Sequence, residues 1–397
     1  MRSYLLPLPF ALFLVILPFP GTVAARLLLL LVAFLVSIWL YRTHHNDIPA
    51  IPGKTAIALW AAACLASILY AIDPAYSLGE VKNEVGYTMM AFFAFFVIAN
   101  NHVHAKHILL SLLLGLLIIG GWGLIEWLHG GFRWNEAGGH GGSGVFATYL
   151  ITVAPVVAYL AAVEQSQRKR LPMYGALLML FTLAFATGQR AVWPALAAQS
   201  LVFWWVLSRR SNSGQLNPLV SLKSATIVLT IVATTSAGLM IGHAHRFGSE
   251  GEALSEDIRF RFWPTVIATI EENPMSGAGM GRRAFAKAYP ERIPEENTLL
   301  WHAHNVLLNY GLSMGIPGVL VLAFLFGWWM YYFGRCIGGD GARALAGAAG
   351  LSIVLGVLVR NQFNDFFARD MSLLFWALVG LFARLAISTS DARKEAR

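Results

Sequence analysis

Long apolar runs recur along nearly the whole chain, and they limit its possible folds more than any other feature. A window of about 19 residues marks twelve of them. Only 13% of the residues are charged, against about 25% in soluble domains. Lipid leaves no backbone polar group an outside partner, and the runs lack the alternation of barrel strands. The sequence therefore predicts an all-α integral membrane protein with about twelve transmembrane helices, at roughly 4–20, 24–41, 55–72, 86–99, 107–128, 144–163, 171–188, 191–207, 224–242, 304–334, 343–359 and 371–388.

Basic residues are distributed unevenly over the loops between these runs. One set of short loops holds sixteen Lys and Arg residues and the opposite set holds six. The basic side of a membrane protein faces the cytoplasm, so we expect both termini inside. The first run resembles a signal peptide, but a second run follows at once, so we interpret it as an uncleaved span. The net charge of +8 reflects this bias and requires no nucleic-acid partner.

One outer loop is much longer than the others and divides the chain into three parts. We expect transmembrane helices one to nine in 1–242, a periplasmic loop in 243–303, and helices ten to twelve with a short cytoplasmic tail in 304–397. Long loops between spans are usually functional or disordered. This loop is rich in aromatic residues, which favours a folded, helical segment.

Residues 255–274, SEDIRFRFWPTVIATIEENP, predict an amphipathic helix inside this loop. Ser255 suits the helix start, and Pro274 ends it. At 100° per residue, Arg259 falls in the middle of the apolar stripe, whereas Arg261 falls about 200° away on the polar side. Arg259 therefore faces the protein body, where an arginine either binds an anion or extends its charged head to the membrane surface.

Two further basic or titratable positions lie on the predicted outer face. Arg190 stands in a minimal loop, ATGQRAVWPAL, where an ionisable residue is a functional candidate. His304 and Asn305 begin the tenth span, and a helical backbone would place Gly315 within about 20° of His304. The same geometry would point His302 about 200° away, which argues against a shared metal. His304 is either a capping histidine or one that handles a proton.

Weaker candidates complete the outer face. Lys82 lies in DPAYSLGEVKNEVGY and could contact an anion. Arg360 and Arg369 lie within RNQFNDFFARD, at 360–370, which either recognises hydroxyl-rich ligands or forms internal ion pairs. The glycines of SGAGMGRRAF, at 276–285, follow no predicted strand, so a turn is favoured over a nucleotide site.

These motifs resemble those of a known family. HNVLLNYGLSMG, which starts at His304, resembles the His-x10-Gly signature of bacterial O-antigen ligases of the WaaL type. The wider family also contains O-antigen polymerases and protein O-oligosaccharyltransferases. The segment from Arg259 to Phe285 is similar to the family's Arg…Trp…Asn-Pro…Gly block, and the Arg190 loop to its arginine turn between two spans. The resemblance covers roughly residues 180–320, the helix count and the single long loop.

The resemblance implies a GT-C-like membrane glycosyltransferase in the bacterial inner membrane. It would transfer a polymeric glycan from undecaprenyl diphosphate to a sugar hydroxyl of the lipid A core, on the periplasmic face. It further implies that Arg190 and Arg259 bind the diphosphate and that His304 is the general base. Substrate contacts would come from the remaining candidates, and no metal or cofactor is expected; these candidates are Arg261, Asn305, Gly315, Lys82, Arg360 and Arg369.

Several alternatives stay open at this point. An O-antigen polymerase often has two large outer loops, and a protein O-oligosaccharyltransferase a large domain after its last span, whereas this sequence has neither feature. A transporter of lipid-linked or anionic solutes should carry charged residues deep in several spans, and these spans have almost none. A purely structural membrane protein is the remaining alternative. We expect a monomer or weak oligomer surrounded by membrane lipid.

Overall fold

The structure, a computed structural model, describes residues 5–135, 138, 141–212, 258–293, 301–339, 341–363 and 370–387. These residues form fourteen α-helices with short 3-10 and π-helical turns, and no strand occurs among them. The all-α prediction is therefore confirmed for this part of the chain. The helices are α1 (Leu8–Ile16), α2 (Val23–Thr43), α3 (Lys54–Ala66), α4 (Pro74–Val81), α5 (Thr88–Ile98), α6 (His102–His129), α7 (Ser143–Val163), α8 (Gln167–Ala186), α9 (Val192–Asn212), α10 (Ile258–Glu272), α11 (Ala284–Ala288), α12 (Val306–Ile337), α13 (Gly341–Arg360) and α14 (Asp370–Leu385).

Six helical segments in the described ranges are long and apolar enough to cross a membrane. They are α2, α6, α7, α12, α13 and the continuous segment Pro74–Ile98, which joins α4 and α5 through a π-helical turn, Lys82–Tyr87. A multi-pass membrane protein follows from them. The predicted count of twelve spans is not established, because other runs are shorter or less apolar and the ninth, 224–242, lies outside the described residues. The first run forms a helix of only nine residues, whereas a crossing helix needs about 20.

The centre of the bundle is α14. Every residue from Met371 to Leu385 is buried, and the helix packs against α5, α13 and α7. Trp376 on α14 stacks on Trp60 of α3, with ring centroids 5.5 Å apart, and its edge meets Phe92 of α5. A helix that is apolar on all sides is expected at such a buried position.

One end of this bundle collects the termini of several helices, and we call it the site end. Asp370, the first residue of α14, forms an ion pair of 2.5 Å with Arg26 near the start of α2. The first N–H of α12, at Val306, donates to the Asn361 carbonyl just after α13, at 2.9 Å. Helix α10 and the turn between α8 and α9 reach the same end through the contacts described below.

Helix α12 is interrupted at its tenth residue. Gly315 has φ 66° and ψ −162°, a conformation open essentially only to glycine. The interruption frees two backbone carbonyls, at Leu312 and Ser313. Backbone N–H groups of Ala278 and Gly279 donate to them at 2.8 and 3.1 Å. The glycine-rich segment after α10 is therefore a turn, as predicted, and it docks into the break of α12.

Proline chemistry explains where the break falls. Pro317 has no N–H and cannot bond the carbonyl of Ser313, four residues earlier. The Ile316 N–H also leaves the helix and donates to the Pro274 carbonyl at 2.8 Å. The prediction that Gly315 lies on a helix face shared with His304 is wrong, because Gly315 breaks the helix and His304 precedes it.

Replacing Gly315 by alanine is expected to destabilise the protein by at least about 1–3 kcal/mol, the usual cost of strained backbone. The new Cβ would also lie 2.5 Å from the Pro274 carbonyl oxygen. Gly327→Ala in the same helix is the matched control, because nothing lies within 4 Å of its added Cβ. Thermal unfolding in detergent measures both, and equal midpoints would contradict the expectation.

Candidate functional site

The opening of α12 is a short histidine turn, Trp301 to Asn305. Asn305 caps the helix: its side-chain oxygen accepts the N–H groups of Leu307 and Leu308 at 2.9 and 3.1 Å. His304 therefore lies outside the helix, with φ 49°, a left-handed conformation that is uncommon for any residue except glycine. Its side chain is half-buried.

His302 and His304 lie against each other. Their ring centroids are 3.8 Å apart, and the His304 N–H donates to His302 Nδ1 at 3.0 Å. The prediction that His302 points about 200° away is wrong, because it assumed a helical backbone before Asn305. Asparagine directly before an apolar run is an N-cap signal, so the sequence could have shown that the helix begins after Asn305 and that both histidines precede it.

The His302 side chain is buried in this turn and is neutral. Burial is the largest cause that lowers its pKa, to about 2, and the nearby His304, Arg282 and Arg259 act in the same direction. A guanidinium nitrogen of Arg282 lies 3.2 Å from His302 Nε2. A neutral imidazole has one donor and one acceptor nitrogen, and Nδ1 is the acceptor here. Burial and the adjacent Arg282 keep the ring neutral at physiological pH, and its Nδ1 fixes the backbone of His304.

Two more side chains hold the histidine turn from the side of α10 and α12. Asn309 on α12 accepts the Ala303 N–H at 2.8 Å. Trp263 on α10 donates its indole N–H to the Ala303 carbonyl at 2.9 Å. The left-handed residue is thus bracketed by hydrogen bonds, which is how a strained backbone conformation persists.

Helix α10 presents its two arginines differently, as predicted. Arg259 is half-buried and donates to the Phe363 carbonyl at 2.8 Å, whereas Arg261 is exposed. The apolar stripe is rotated from its predicted position, because Phe262 and Thr269 are buried while Ile267 is 45% exposed. In this orientation, helix α10 packs its Phe262 side against Phe285, with ring centroids 5.9 Å apart.

Residues 360–363, which comprise the last residue of α13 and the three that follow it, join the separate parts of the site. Arg360 is buried and donates to the Gln189 side chain at 3.0 Å and to the Gly144 carbonyl at 3.4 Å. The Gln362 carbonyl accepts from the Asn305 side chain at 3.1 Å, and Phe363 accepts from Arg259. The turn between α8 and α9, which contains Gln189 and Arg190 and is called the Arg190 turn below, therefore meets the histidine turn and α10 at one end of the bundle.

The predicted site residues separate into three groups. The first group consists of Arg190, His304 and Arg259, which lie at the same end of the bundle. Arg190 follows Gln189 in the turn between α8 and α9, and its side chain is exposed. Arg360, Asn305 and Gly315 are brought to the same end, but their polar atoms or backbone already serve local structure. Lys82 is exposed in the π-helical turn and lies 6.0 Å from the Tyr87 ring. Arg369 lies outside the described residues.

The arrangement can hold an anion beside an imidazole side chain. Arg259, Arg282 and the Arg190 turn supply positive charge, and arginines bind phosphate oxygens bidentately. His304 lies within this group with part of its ring open to solvent. In the part of the chain that the structure describes, no group of three or more His, Cys, Asp or Glu residues could hold a metal ion.

Six membrane-capable helical segments and a cationic, histidine-bearing end together indicate a multi-pass membrane protein with a candidate site at one end of its bundle. Residues 175–323 match the family model described as O-antigen ligase. This match supports the O-antigen ligase family and a ligase- or polymerase-type role in O-antigen processing. Arg190, Arg259 and His304 all fall inside the matched region. No curated protein matches the chain.

Proposed function

We propose that the protein is an O-antigen ligase of the WaaL type, which transfers polysaccharide from undecaprenyl diphosphate to a sugar hydroxyl of lipid A-core and so completes lipopolysaccharide. One observation carries this proposal. The histidine turn and the partly buried Arg259 lie at the same end as the Arg190 turn, linked by residues 360–363. A diphosphate and a sugar hydroxyl are the groups that such a set of side chains would serve.

The two arginines act on the leaving group. Cleavage of the sugar–diphosphate bond leaves negative charge on the diphosphate, and fixed cationic donors stabilise that charge as it develops. Arg259 is held by its bond to the Phe363 carbonyl, and its planar guanidinium is the group that would meet phosphate oxygens. Arg190 is exposed at the neighbouring turn and can approach the diphosphate from the other side.

His304 acts on the acceptor. A sugar hydroxyl is a poor nucleophile, and a neutral imidazole can take its proton as the hydroxyl oxygen attacks C1 of the donor sugar. The proton then resides on His304, the C1–oxygen bond to the diphosphate breaks, and the electron pair leaves with the diphosphate. The neutral His302 beside it supports this role, because it adds no positive charge that would compete for the proton.

Other predicted contacts take supporting places in this proposal. Arg261 and Lys82 are exposed cations suited to lipid headgroups or to the glycan. Asn305 and Arg360 shape the floor of the site through their bonds to Gln362 and Gln189. Gly315 lets the turn after α10 dock. Arg369 is retained as a candidate contact with the glycan.

The proposed location is the bacterial inner membrane, with the site end in the periplasm and both termini in the cytoplasm. The excess of Lys and Arg in one set of loops supports this orientation. Both lipid substrates would then reach the site from the outer leaflet. We propose that the protein works as a monomer or weak oligomer and without a metal or other cofactor.

Lipopolysaccharide from a strain lacking the protein tests the function. Loss of a ligase is expected to leave bare lipid A-core together with accumulated lipid-linked polymer. Loss of a polymerase would instead leave core that carries single repeats, and this result would favour the second candidate in the family. Unchanged lipopolysaccharide would contradict both and favour the transporter alternative.

A further inference from the structure

A small cavity lies beside two residues that contact the histidine turn, Arg282 and Asn309. Its volume is ≈ 20 Å³, and about 10–15 Å³ is enough for one water molecule. Its lining includes Glu84, Arg282, Asn309 and Ser313. A cavity of this size with several polar walls is suited to a bound water rather than to empty space.

The cavity touches both supports of the histidine turn. Arg282 lines the cavity, and its guanidinium nitrogen lies 3.2 Å from His302 Nε2. Asn309 also lines it, and its side-chain oxygen accepts the Ala303 N–H at 2.8 Å. A group that fixes these two walls therefore fixes the turn that places His304.

Asn309 has an unused donor. Its side-chain nitrogen is buried and has no hydrogen-bond partner, although its oxygen is engaged with Ala303. A buried polar atom without a partner costs roughly 1–3 kcal/mol, and an ordered water is a common explanation for such an atom. The Asn309 amide nitrogen thus points to an acceptor inside this cavity.

Glu84 is the acidic residue in the buried wall of the cavity. It is 2% exposed, and the Ser372 hydroxyl donates to its Oε2 at 3.3 Å. It belongs to the π-helical turn Lys82–Tyr87, and such turns within α-helices are frequent at functional sites. An ionisable residue inside an apolar segment is itself a functional candidate, and the proposed reaction leaves this one unused.

We propose that Glu84 is a positioning residue of this site: through one water in the cavity, its carboxylate accepts from Asn309 and holds Arg282 in place behind His302. It touches neither substrate and acts on the reaction through the histidine turn. This inference rests on the proposed function for its kinetic consequence, but its structural part concerns the turn alone.

A double-mutant cycle on the purified full-length protein tests the proposal with both lipid substrates. Glu84→Gln is expected to lower kcat by on the order of ten- to a hundred-fold, the size of effect known for residues that orient metal ligands, with little change in KM. Added to Arg282→Gln, it should cost little more, because both substitutions disturb the same support. Effects that multiply in the double variant would overturn the proposal.

Glu80→Gln is the matched control. Glu80 lines the same cavity from the preceding helical turn but is only half-buried, so its loss should leave kcat nearly unchanged. Equal effects of Glu80→Gln and Glu84→Gln would show that the charge near the cavity matters rather than the position.

If Glu84→Gln fails to fold, Glu84→Asp keeps the charge on a shorter side chain and should lower kcat by a smaller factor. Normal activity of a stably folded Glu84→Asp, together with a normal histidine turn, would overturn the proposal.

Nuclear magnetic resonance of ring-labelled histidine separates this inference from the proposed function. Glu84→Gln should shift the ring signals of His302 and His304, whereas Glu80→Gln should not. If the wild-type protein transfers no glycan but Glu84→Gln still shifts these signals, the proposed function is refuted and the positioning role is supported. Signals that are unchanged in Glu84→Gln would refute the positioning role whatever the activity.

Discussion

His304→Ala is expected to remove most glycan transfer, by a factor on the order of 10²–10⁴ if the imidazole acts as a general base. The side chain is half-buried at the site end, so it can receive a proton from a bound hydroxyl and later release it to solvent. Donor binding should be nearly intact, because Arg259 and Arg190 hold the diphosphate. Purified protein with both lipid substrates measures the rate, and lipid-linked donor retained on the protein measures binding.

Two results would contradict the base role of His304. The first is transfer that survives His304→Ala at a rate near that of the wild type. The second is activity that disappears with a chelator and returns with a divalent metal, which would transfer the proton chemistry to a metal-bound group. His304→Gln provides a further comparison, because it keeps a hydrogen-bonding side chain but cannot act as a base near neutral pH.

His302 gives a different expectation from the one that a helical wheel suggests. A continuous helix would point it away from His304 and make it dispensable. Its ring instead packs on His304 at 3.8 Å and accepts the His304 N–H. His302→Ala should therefore also lower kcat, through the position of His304. Because His302 is neutral at physiological pH, its loss should leave the pH dependence of transfer largely unchanged.

The sequence predicted well where local periodicity and charge decide the structure. The amphipathic helix at 255–274 appears as Ile258–Glu272, with Arg259 half-buried and Arg261 exposed. The turn nature of 276–285 was also predicted, because spaced glycines without a preceding strand favour a turn. These features depend on neighbours within a few residues, which a single sequence records directly.

Contacts between residues that are far apart in the sequence could not be predicted from local periodicity and charge. The break at Gly315 depends on a docked segment some 40 residues earlier, and the burial of Arg360 depends on Gln189 in another turn. Glu84 carried a usable signal, a carboxylate within an apolar segment, but its relation to Arg282 and Asn309 appears only when three distant parts of the chain meet. Helix caps lie between the two cases, since Asn305 could have revealed where α12 begins.

Arg259→Ala is expected to abolish most transfer, by about 10²–10³ for one lost donor to a developing oxyanion, whereas Arg261→Ala should keep substantial activity. The two residues lie two positions apart on α10, so they differ in direction but hardly in local sequence. Arg259 is fixed against the Phe363 carbonyl at 2.8 Å, and Arg261 faces solvent. An exposed cation is screened by salt and contributes little to a fixed geometry.

Arg261→Ala is thus the matched control for Arg259→Ala, since both remove one positive charge from the same helix. Arg259→Lys refines the test: it keeps the charge but loses the planar fork that binds two phosphate oxygens and the Phe363 carbonyl together, so most activity should stay lost. Donor affinity should weaken in both Arg259 variants, unlike in His304→Ala. Equal losses at Arg259 and Arg261, at normal protein levels, would mean that α10 turns both side chains toward the diphosphate when the substrate binds.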